Sequence, residues 1–379
     1  MRADLPTTII LKTTDSCNAA CRYCYEDNAA EGSPNTISLD VVEEVYRWAV
    51  ASGLAKVQIV WHGGEPLIAG IPFFRQVFSL QKRYEKQGLE YLHSLQTNGV
   101  LVDDDWIELF RSFDIGVGLS LDGPAWIHDE QRPLTGGRPS HGRALSALER
   151  MTTAGLRVSL SAVVTRRSLG AAREIVSFFS ALRADSVDFL PMAVLSPKLQ
   201  GNSYLIRAAE FGRFISDVYM EWAKLGEDRI SIRYIENMIR GVTGYHPTLC
   251  TFSGRCGAYI SIDFDGSVYP CDSFMRAPEL KLGNLQDQNL SALLAGRRYL
   301  TFRNDIARLS PACEICEILP ICNGGCPSER YSGDGMFARR YPFCETRRHL
   351  ARLIASDLDA AGADGLVRLP VFNSIRDTQ

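Results

Sequence analysis

The chain has 379 residues, of which 46% are hydrophobic, 22% charged and 9% aromatic, and this composition excludes a disordered or fibrous protein. With 41 Lys and Arg against 44 Asp and Glu, the net charge of -3 provides no general basic field for a nucleic acid backbone or an anionic membrane surface. The length leaves room for one large domain and a smaller one, and a small-molecule or peptide partner is expected.

The N-terminal sequence contains an acid, Asp4, and a proline, Pro6, where a signal peptide requires a basic start and a long apolar run. Apolar runs elsewhere are shorter than the roughly 20 residues that span a bilayer. We therefore expect no export signal and no membrane span, and predict a cytoplasmic protein. In reducing cytosol, clustered cysteines more often bind metal or act in catalysis than form disulfides.

Six apolar, β-rich segments are each followed by a segment of helical periodicity. They are Thr8–Lys12, Val57–Trp61, Tyr91–Leu95, Ile115–Leu121, Val158–Val164 and Val187–Pro191. Ser38 is an expected N-cap for a helix over 39–52, and Asp103 to Asp105 place negative charge at the start of a helix that runs to about Phe113. This alternation predicts a parallel sheet with right-handed crossovers, either open or closed into a barrel.

Polar and glycine-rich residues follow each of the first four predicted strands. They are residues 17–24, 62–66, 96–99 and 122–124. In a parallel α/β architecture, the C-terminal ends of the strands form the rim where ligands bind. Six units would make a partial barrel with an open side suited to a large substrate.

After the sixth unit the alternation ends, and two helical segments over about 208–225 and 230–242 follow. The second domain is expected to start near Tyr245, which gives predicted domains of residues 1–244 and 245–379. The first would hold the barrel with its linking helices, and the second would hold most of the cysteines.

Within the second domain, residues 258–264 and 267–269 predict a β-hairpin, because the Asp265-Gly266 turn between them tolerates a positive φ. The other cysteines lie in turn-rich sequence, and a helix over about 345–361 follows the last of them, Cys344. Such a segment has little core of its own, so metal ligation is expected to supply much of its stability.

The eleven cysteines divide into an N-terminal trio and a C-terminal octet. They are Cys17, Cys21 and Cys24, and then Cys250, Cys256, Cys271, Cys313, Cys316, Cys322, Cys326 and Cys344. Three thiolates leave one iron of a cubane cluster open to a substrate or cofactor, whereas eight suffice for two fully ligated clusters. Zinc is the alternative, but it needs a fourth ligand near the trio, and neither His nor Cys follows at a suitable spacing.

The spacing of Cys17, Cys21 and Cys24, with an aromatic residue before the third cysteine, resembles the signature of the radical S-adenosylmethionine (radical SAM) superfamily. Residues 63–66 are similar to its GGEP motif, which contacts the methionine amino group. The resemblance implies a partial (β/α)6 TIM barrel with a SAM-binding [4Fe-4S] cluster. The candidate SAM-binding residues are Tyr23, Gly63, Gly64, Glu65, Asn98, Ser120, Asp122, Arg132 and Leu190.

Each of these candidates also has a structural interpretation. The two glycines could form only a tight turn, Glu65 could be a solvated loop carboxylate, and Tyr23 could serve packing. Ser120, Asp122, Arg132 and Asn98 could be turn or ion-pair residues. Leu190 lines the adenine pocket or belongs to the core. The neighbouring His62 is more often a structural hydrogen-bonding histidine than a ligand.

The octet resembles the complete SPASM signature, which holds two auxiliary [4Fe-4S] clusters. By this resemblance, the ligands of the first auxiliary cluster are Cys250, Cys256, Cys271 and Cys326. The ligands of the second are Cys313, Cys316, Cys322 and Cys344. A zinc-stabilised scaffold without catalytic activity would explain the octet but not the trio at the rim.

Three further segments resemble the anaerobic sulfatase-maturating enzymes and their relatives, the radical SAM/SPASM maturases of ribosomally made peptides. The segments are Trp61–Leu67, Gln96–Gly99 and Ser120–Pro124, the last followed by His128, Asp129 and Arg132. In the sulfatase-maturating group, the auxiliary-cluster cysteine is followed by an aspartate assigned to take the substrate proton. Asp272 follows Cys271 here, and it could instead cap a turn.

We expect an oxidoreductase that abstracts a hydrogen atom from a side chain of a precursor peptide and forms an intrapeptide, cyclophane-type crosslink. The alternative is a sulfatase-maturating enzyme that forms formylglycine from Cys or Ser. The first is preferred because residues 345–349 replace a glycine- and tyrosine-rich stretch of the sulfatase-maturating group. The barrel begins within ten residues of the N-terminus, so no separate peptide-recognition domain is expected. The expected reductant is a flavodoxin or ferredoxin.

Overall fold

The computed structural model describes residues 5–26, 35–192, 201–226, 229–333, 336–360 and 362. By their contacts, the residues form two compact units that alternate along the chain. Unit 1 comprises residues 1–161, 183–185 and 257–304, and unit 2 comprises residues 162–182, 186–256 and 305–379. These units are discontinuous in sequence, whereas the expected domains are continuous segments of the chain. The expected domain limits therefore stay a prediction.

Ten β-strands are present in the described residues, and they include all six that the sequence predicts. The strands are β1 (Thr8–Lys12), β2 (Lys56–His62), β3 (Glu90–Thr97), β4 (Ile115–Ser120), β5 (Val158–Val164), β6 (Ser186–Pro191), β7 (Ser231–Ile232), β8 (Tyr259–Ile262), β9 (Ser267–Tyr269) and β10 (Gly283–Asn284). In unit 1 they hydrogen-bond in the order β10-β9-β8-β1-β2-β3-β4-β5, and β1 to β5 run parallel. Parallel pairing brings the C-terminal ends of these strands to one edge.

Fifteen α-helices lie in the described part of the chain. They are α1 (Leu39–Ser52), α2 (Gly70–Lys82), α3 (Asp104–Ser112), α4 (Ala125–Gln131), α5 (His141–Thr153), α6 (Ala172–Ser180), α7 (Ala208–Ala223), α8 (Arg233–Val242), α9 (Cys250–Ser253), α10 (Leu290–Ala295), α11 (Arg297–Ile306), α12 (Pro311–Glu314), α13 (Leu319–Cys322), α14 (Pro327–Arg330) and α15 (Cys344–Ala360). Within the described ranges, none has the length and apolar character needed to cross a membrane.

Two helices of unit 1 begin at their predicted caps. The Oγ of Ser38 accepts a hydrogen bond from the backbone N–H of Val41 at 3.3 Å, and α1 ends at Gly53, whose φ is +73°. The Oδ1 of Asp103 accepts from the backbone N–H of Trp106 at 3.0 Å. Local capping chemistry therefore sets both helix starts.

The core of unit 1 includes an aromatic cluster around Trp61, which is fully buried. Its ring centroid lies 5.3 Å from that of Phe74, and its Nε1–H donates to Nδ1 of His93 at 3.2 Å. Burial lowers the pKa of His93 to about 4, so the imidazole is neutral and its Nε2–H donates to Oε1 of Gln81 at 2.6 Å. The cluster thus satisfies these ring nitrogens without burying a charge.

The hairpin and the second linking helix predicted after the barrel are both present, and the helix begins later than expected. Strands β8 and β9 form the predicted antiparallel hairpin, with Gly266 at a φ of +84° in its turn. In unit 2, the helix predicted over about 230–242 is present as α8 from Arg233, and β7, which pairs in parallel with β6, occupies its predicted start. A two-residue strand has no periodicity of its own, so only its pairing with β6 specifies it.

The core of unit 2 contains aromatic side chains from its long helices, from α9 and from the residue before α15. The ring centroid of Phe211 lies 5.6 Å from that of Tyr234 and 5.4 Å from that of Phe343. Tyr234 in turn lies 5.0 Å from Phe252. These edge-to-face contacts join α7 and α8 to residues next to cysteine positions 250 and 344.

Replacing the cap of α3 is expected to destabilise unit 1 measurably. Asp103→Ala leaves the N–H of Trp106 without its side-chain acceptor and should lower the free energy of unfolding by about 1 kcal/mol. Asp105→Ala, in the exposed first turn of the same helix, is the control and should cost about half of that or less. Equal guanidinium midpoints for the two variants would contradict the capping role.

Candidate active site

The cysteine loop, residues 17–24, directly follows β1 in unit 1. The backbone N–H groups of Ala20 and Arg22 donate to the carbonyls of Pro133 and Gln131, both at 2.8 Å. Protein hydrogen bonds therefore position the loop at the edge where the parallel strands end. This is the location that the sequence predicts for the trio.

The donor set of the loop fits an iron–sulfur cluster better than a single metal ion. Tetrahedral zinc requires sulfur atoms about 3.8 Å apart, given its bond length. Among the described residues, the group of three ligand atoms within 4.8 Å of one another comes from Glu26, His62 and Asp272 and contains no cysteine. The three sulfur atoms of the cysteine loop are therefore farther apart than one zinc ion requires. Burial raises the pKa of Cys17 to about 12, so its thiol stays protonated unless a bound metal displaces the proton.

Glu65 is a buried carboxylate, with 1% of its surface exposed, so the solvated-loop interpretation is wrong. Its oxygens accept hydrogen bonds from the Thr97 hydroxyl at 2.7 Å, from the backbone N–H of Asn98 at 2.8 Å and from that of Leu67 at 3.2 Å. Burial raises its pKa in spite of these bonds. The carboxylate therefore joins the loops that follow β2 and β3.

Gly63 and Gly64 let the loop after β2 approach the cysteine loop closely. Their φ angles are +83° and +51°, and a Cβ on Gly64 would lie 2.2 Å from the carbonyl oxygen of Ser16. That same oxygen accepts from the backbone N–H of Glu65 at 2.8 Å. A tight turn alone does not require the hydrogen bond between Glu65 and Ser16. The two glycines therefore also position Glu65 beside the cysteine loop.

Asn98 contacts the cysteine loop from the end of β3. Its Nδ2 donates to Oδ1 of Asn18 at 2.7 Å and lies 3.9 Å from the sulfur of Cys17. Ser120, at the end of β4, accepts from Nε2 of Gln96 at 3.0 Å. The structure thus places both candidates at the predicted rim, and their roles toward SAM stay predictions.

Tyr23, Asp122 and Arg132 form one buried polar group in unit 1. The Tyr23 hydroxyl donates to Oδ2 of Asp122 at 2.6 Å, and Nη1 of Arg132 both contacts that hydroxyl and lies 3.9 Å from Oδ1 of Asp122. Burial disfavours the Arg132 charge, but Cys21, Tyr23 and Asp122 keep its pKa above the usual value. The group holds a permanent positive charge next to the cysteine loop.

Leu190 is the candidate SAM contact that belongs to unit 2. It lies in β6 and is 45% exposed, so its interpretation as a core residue is wrong. Its predicted place beside the adenine stays a prediction.

Lys12, the last residue of β1, is a site residue that the sequence analysis missed. Its ammonium forms ion pairs with Glu26 and, at 2.5 Å, with Asp272, and it lies 3.2 Å from Nδ1 of His62. The Tyr25 hydroxyl donates to Oδ2 of Asp272 at 2.8 Å. Side chains thus hold Asp272, which argues against the turn-capping interpretation. The sequence offered one signal for this residue, because a lysine ends an otherwise apolar strand at the rim.

The charges around Lys12 compensate one another. Burial raises the pKa of Asp272, but Lys12, His62 and the Tyr25 hydroxyl together hold that pKa below its usual range. Burial lowers the pKa of Lys12, whereas Asp272, Tyr25 and Glu26 raise it well above its usual value. Burial and Lys12 lower the pKa of His62. The Lys12 ammonium therefore contacts Glu26, His62 and Asp272, the three side chains whose ligand atoms lie within 4.8 Å of one another, and occupies the place that a metal ion would take.

In unit 2, two of the four predicted ligands of the second auxiliary cluster, Cys313 and Cys344, have raised pKa values. Burial raises the pKa of Cys313, and the neighbouring Cys322 and Cys316 raise it further. Burial also raises the pKa of Cys344, with Cys322 and Cys313 contributing. These contributions are consistent with cysteines that lie near one another, and the ligand assignment stays a prediction for all eight C-terminal cysteines.

Arg347 is a second charged residue that the sequence analysis did not assign. Its guanidinium carbon lies 3.7 Å from the Phe252 ring centroid and 4.5 Å from that of Tyr341, and the residue is fully buried. Nη1 donates to the Thr251 carbonyl at 2.9 Å and to the sulfur of Cys322 at 3.3 Å. Arg347 therefore positions a predicted cluster ligand from within the stretch 345–349.

Two family models match the chain: the radical SAM superfamily over residues 11–178 and the SPASM iron–sulfur cluster-binding domain over residues 250–317. They confirm the predicted α/β fold, with a radical SAM barrel followed by a SPASM domain, and the predicted cofactors, SAM and [4Fe-4S] clusters.

Curated relatives and a solved structure extend the comparison. The serine-type anaerobic sulfatase-maturating enzyme of Klebsiella aerogenes is 31% identical over 331 residues, covering 86% of this chain and 81% of that protein. The cysteine-type enzyme of Clostridium perfringens (strain 13 / Type A) is 26% identical over 349 residues, covering 90% and 94%. Native anSMEcpe with bound AdoMet and Cp18Cys peptide has a TM-score of 0.84 at 24% identity, covering 94% and 99% of the two chains, and shares the fold.

Gly64→Ala is expected to weaken SAM binding, because the new Cβ would displace the Ser16 carbonyl beside Cys17. We expect the dissociation constant of SAM, measured by anaerobic calorimetry, to rise by about tenfold or more. Gly155→Ala is the control: its φ of +81° is also positive, so the new side chain is strained there too, but no atom lies within 4 Å of the new Cβ. Equal SAM affinity in the two variants would contradict the positioning role.

Lys12→Met is expected to destabilise the protein, because it leaves Glu26 and Asp272 without their buried cation. The loss should be about 3 to 5 kcal/mol in the free energy of unfolding. Lys56→Met removes a solvent-exposed pair with Glu90 at 2.8 Å and should cost less than about 1 kcal/mol. Guanidinium unfolding of the cluster-loaded variants compares them, and similar midpoints would show that Lys12 does not compensate these carboxylates.

Proposed function

Since this chain belongs to the radical SAM/SPASM family of the anaerobic sulfatase-maturating enzymes, we propose that it converts Cys or Ser of a sulfatase polypeptide to formylglycine. It is a radical SAM enzyme that acts on a peptide. The observation that carries the finer proposal is the match to the Klebsiella aerogenes enzyme across 81% of that protein's length.

The proposal reverses the order of the two functions expected from the sequence. The preference for a peptide crosslink relied on residues 345–349, and Thr346 and Arg347 of that stretch are buried in α15. Their contacts are with unit 2 itself, including the Ala208 carbonyl and Cys322. The departure from the family pattern is therefore accounted for by packing, and it does not argue against sulfatase maturation. Crosslink formation stays a prediction without support.

The reaction requires a balanced loss of hydrogen from the substrate side chain. Oxidation of serine to the aldehyde breaks the Cβ–H and O–H bonds and removes one hydrogen atom, one proton and one electron. For cysteine the same loss yields a thioaldehyde, which water converts to the aldehyde with release of hydrogen sulfide. When bound, the trio's cluster with SAM supplies hydrogen-atom abstraction, and the auxiliary clusters supply electron acceptors.

Asp272 is the proposed acceptor of the substrate proton. Its Oδ2 is oriented by the Tyr25 hydroxyl at 2.8 Å, and its Oδ1 lies 2.5 Å from the Lys12 ammonium. Lys12 is itself anchored on β1 and by Glu26, so the carboxylate is fixed in one orientation. A preoriented, ionised carboxylate is the group that general-base catalysis requires. The Lys12 and Tyr25 contacts thus support the role expected from the Cys271–Asp272 dipeptide.

The proposal predicts aldehyde formation on a sulfatase-type peptide. The anaerobically purified holoenzyme, supplied with SAM and a chemical reductant, is incubated with matched peptides that carry Cys or Ser, and products are analysed by mass spectrometry. Loss of two hydrogens from Ser, or replacement of sulfur by oxygen at Cys with loss of two hydrogens, is the expected result. A precursor peptide that instead loses two hydrogens and resists fragmentation between two residues would establish a crosslinking enzyme and overturn the proposal.

Asp272→Asn tests the proton acceptor separately. This variant should form aldehyde about 100-fold more slowly or worse, while it still binds SAM and the peptide. Asp287→Asn, at an exposed position of unit 1, is the matched control and should retain the parental rate. Parental activity in Asp272→Asn would remove this residue from the mechanism without affecting the assignment of the reaction.

A further inference from the structure

Arg276 presents hydrogen-bond donors that no described residue accepts. It follows the turn of residues 272–274 in unit 1, and its Nε and Nη1 atoms are buried and lack an acceptor within the described ranges. A guanidinium stays charged in proteins, and each buried donor left unpaired costs free energy. These donors are available to an acceptor on a molecule that binds there.

Tyr25 links this guanidinium to the proposed reaction centre. The Arg276 guanidinium carbon lies 3.9 Å from the centroid of the Tyr25 ring, a stacking distance. The hydroxyl of the same ring donates to Asp272 at 2.8 Å. An oxygen atom bound by Arg276 would therefore lie near the carboxylate that takes the substrate proton.

The local charge balance indicates which acceptor fits. Arg276 and Lys12 carry two positive charges, Glu26 and Asp272 carry two negative charges, and Asp263 lies close enough to Lys12 and Glu26 for both to affect its pKa. An acidic side chain would add an uncompensated charge to this partly buried group, whereas a carbonyl oxygen would not. A main-chain carbonyl is neutral, and every polypeptide supplies one next to the residue that is oxidised.

We propose that Arg276 binds a main-chain carbonyl oxygen of the substrate polypeptide beside the residue that is oxidised. This inference rests on the proposed function, in which the substrate is a polypeptide and Asp272 is at the reaction centre. Arg276 is then a substrate-binding residue, held in place by its stacking on Tyr25. It acts on affinity for the peptide and not on the chemical step.

The test measures peptide affinity and turnover in the same holoenzyme preparations. A fluorescently labelled sulfatase-type peptide is titrated with SAM-bound enzyme, and Arg276→Gln should raise its Kd by about 10- to 100-fold. At saturating peptide, kcat should change by less than about threefold. Arg276→Lys keeps the charge but not the planar stack, so its Kd for the peptide should lie between those of the parent enzyme and Arg276→Gln. Arg297→Gln, at an exposed position of α11, is the control and should match the parent enzyme.

A second set of peptides identifies the bound oxygen. When every Asp and Glu of the peptide is replaced by Asn and Gln, the effect of Arg276→Gln should persist at the same factor. If the effect disappears, Arg276 binds an acidic side chain, and the carbonyl proposal is overturned. An unchanged Kd in Arg276→Gln for all peptides overturns it as well.

Two measurements keep the test independent of folding and of the proposed reaction. Thermal melting and iron content establish that each variant is folded and loaded. If Arg276→Gln fails to fold, peptides with single backbone esters, whose carbonyls are weaker acceptors, are titrated against the parent enzyme, and one position next to the oxidised residue should bind more weakly. If no backbone ester weakens binding, the proposed contact is refuted. Binding that depends on Arg276 without aldehyde formation would refute only the proposed function.

Discussion

Parallel pairing of β1 to β4 is the constraint on which the candidate active site depends. It brings the C-terminal ends of these strands to one edge, so loops that are distant in sequence meet there. The carboxylate of Glu65 joins the loops after β2 and β3, and Asn98 reaches the cysteine loop. Glycine at position 64 is required because any Cβ there would collide with Ser16. The cysteine trio is thus held by hydrogen bonds of the protein itself.

Buried cationic side chains in both units are compensated by neighbouring groups, and at Lys12 this compensation links function to stability. Lys12 is almost fully buried and is stabilised by Glu26 and Asp272, so the proposed proton acceptor also contributes to the core of unit 1. Arg347 plays a related part in unit 2, where carbonyls and aromatic rings surround it. Arg276 differs from both because two of its buried N–H groups have no described acceptor. Buried donors without a partner are rare in folded proteins, so those of Arg276 call for a specific explanation.

The stretch 345–349 shows how a departure from a family pattern can mislead. As sequence, it suggested a different substrate from that of the sulfatase-maturating enzymes. In the structure, Thr346 donates to the Ala208 carbonyl, and Arg347 donates to Cys322 and stacks on Phe252. These contacts serve packing within unit 2. A substitution that is internally compensated therefore carries little information about the substrate, and relatives matched over most of their length carry more.

The sequence by itself determined the local features: the bounds of β1 and β5, the caps of α1 and α3, and the cysteine spacings that identify the cofactors. Periodicity, capping and spacing act over a few residues, so a linear pattern is sufficient to predict them. Only the tertiary structure decided the short strand β7, the Lys12 ion pairs with Glu26 and Asp272, and the unpaired donors of Arg276. Strand pairing and charge compensation depend on distances between residues far apart in the chain, and no local pattern encodes those distances.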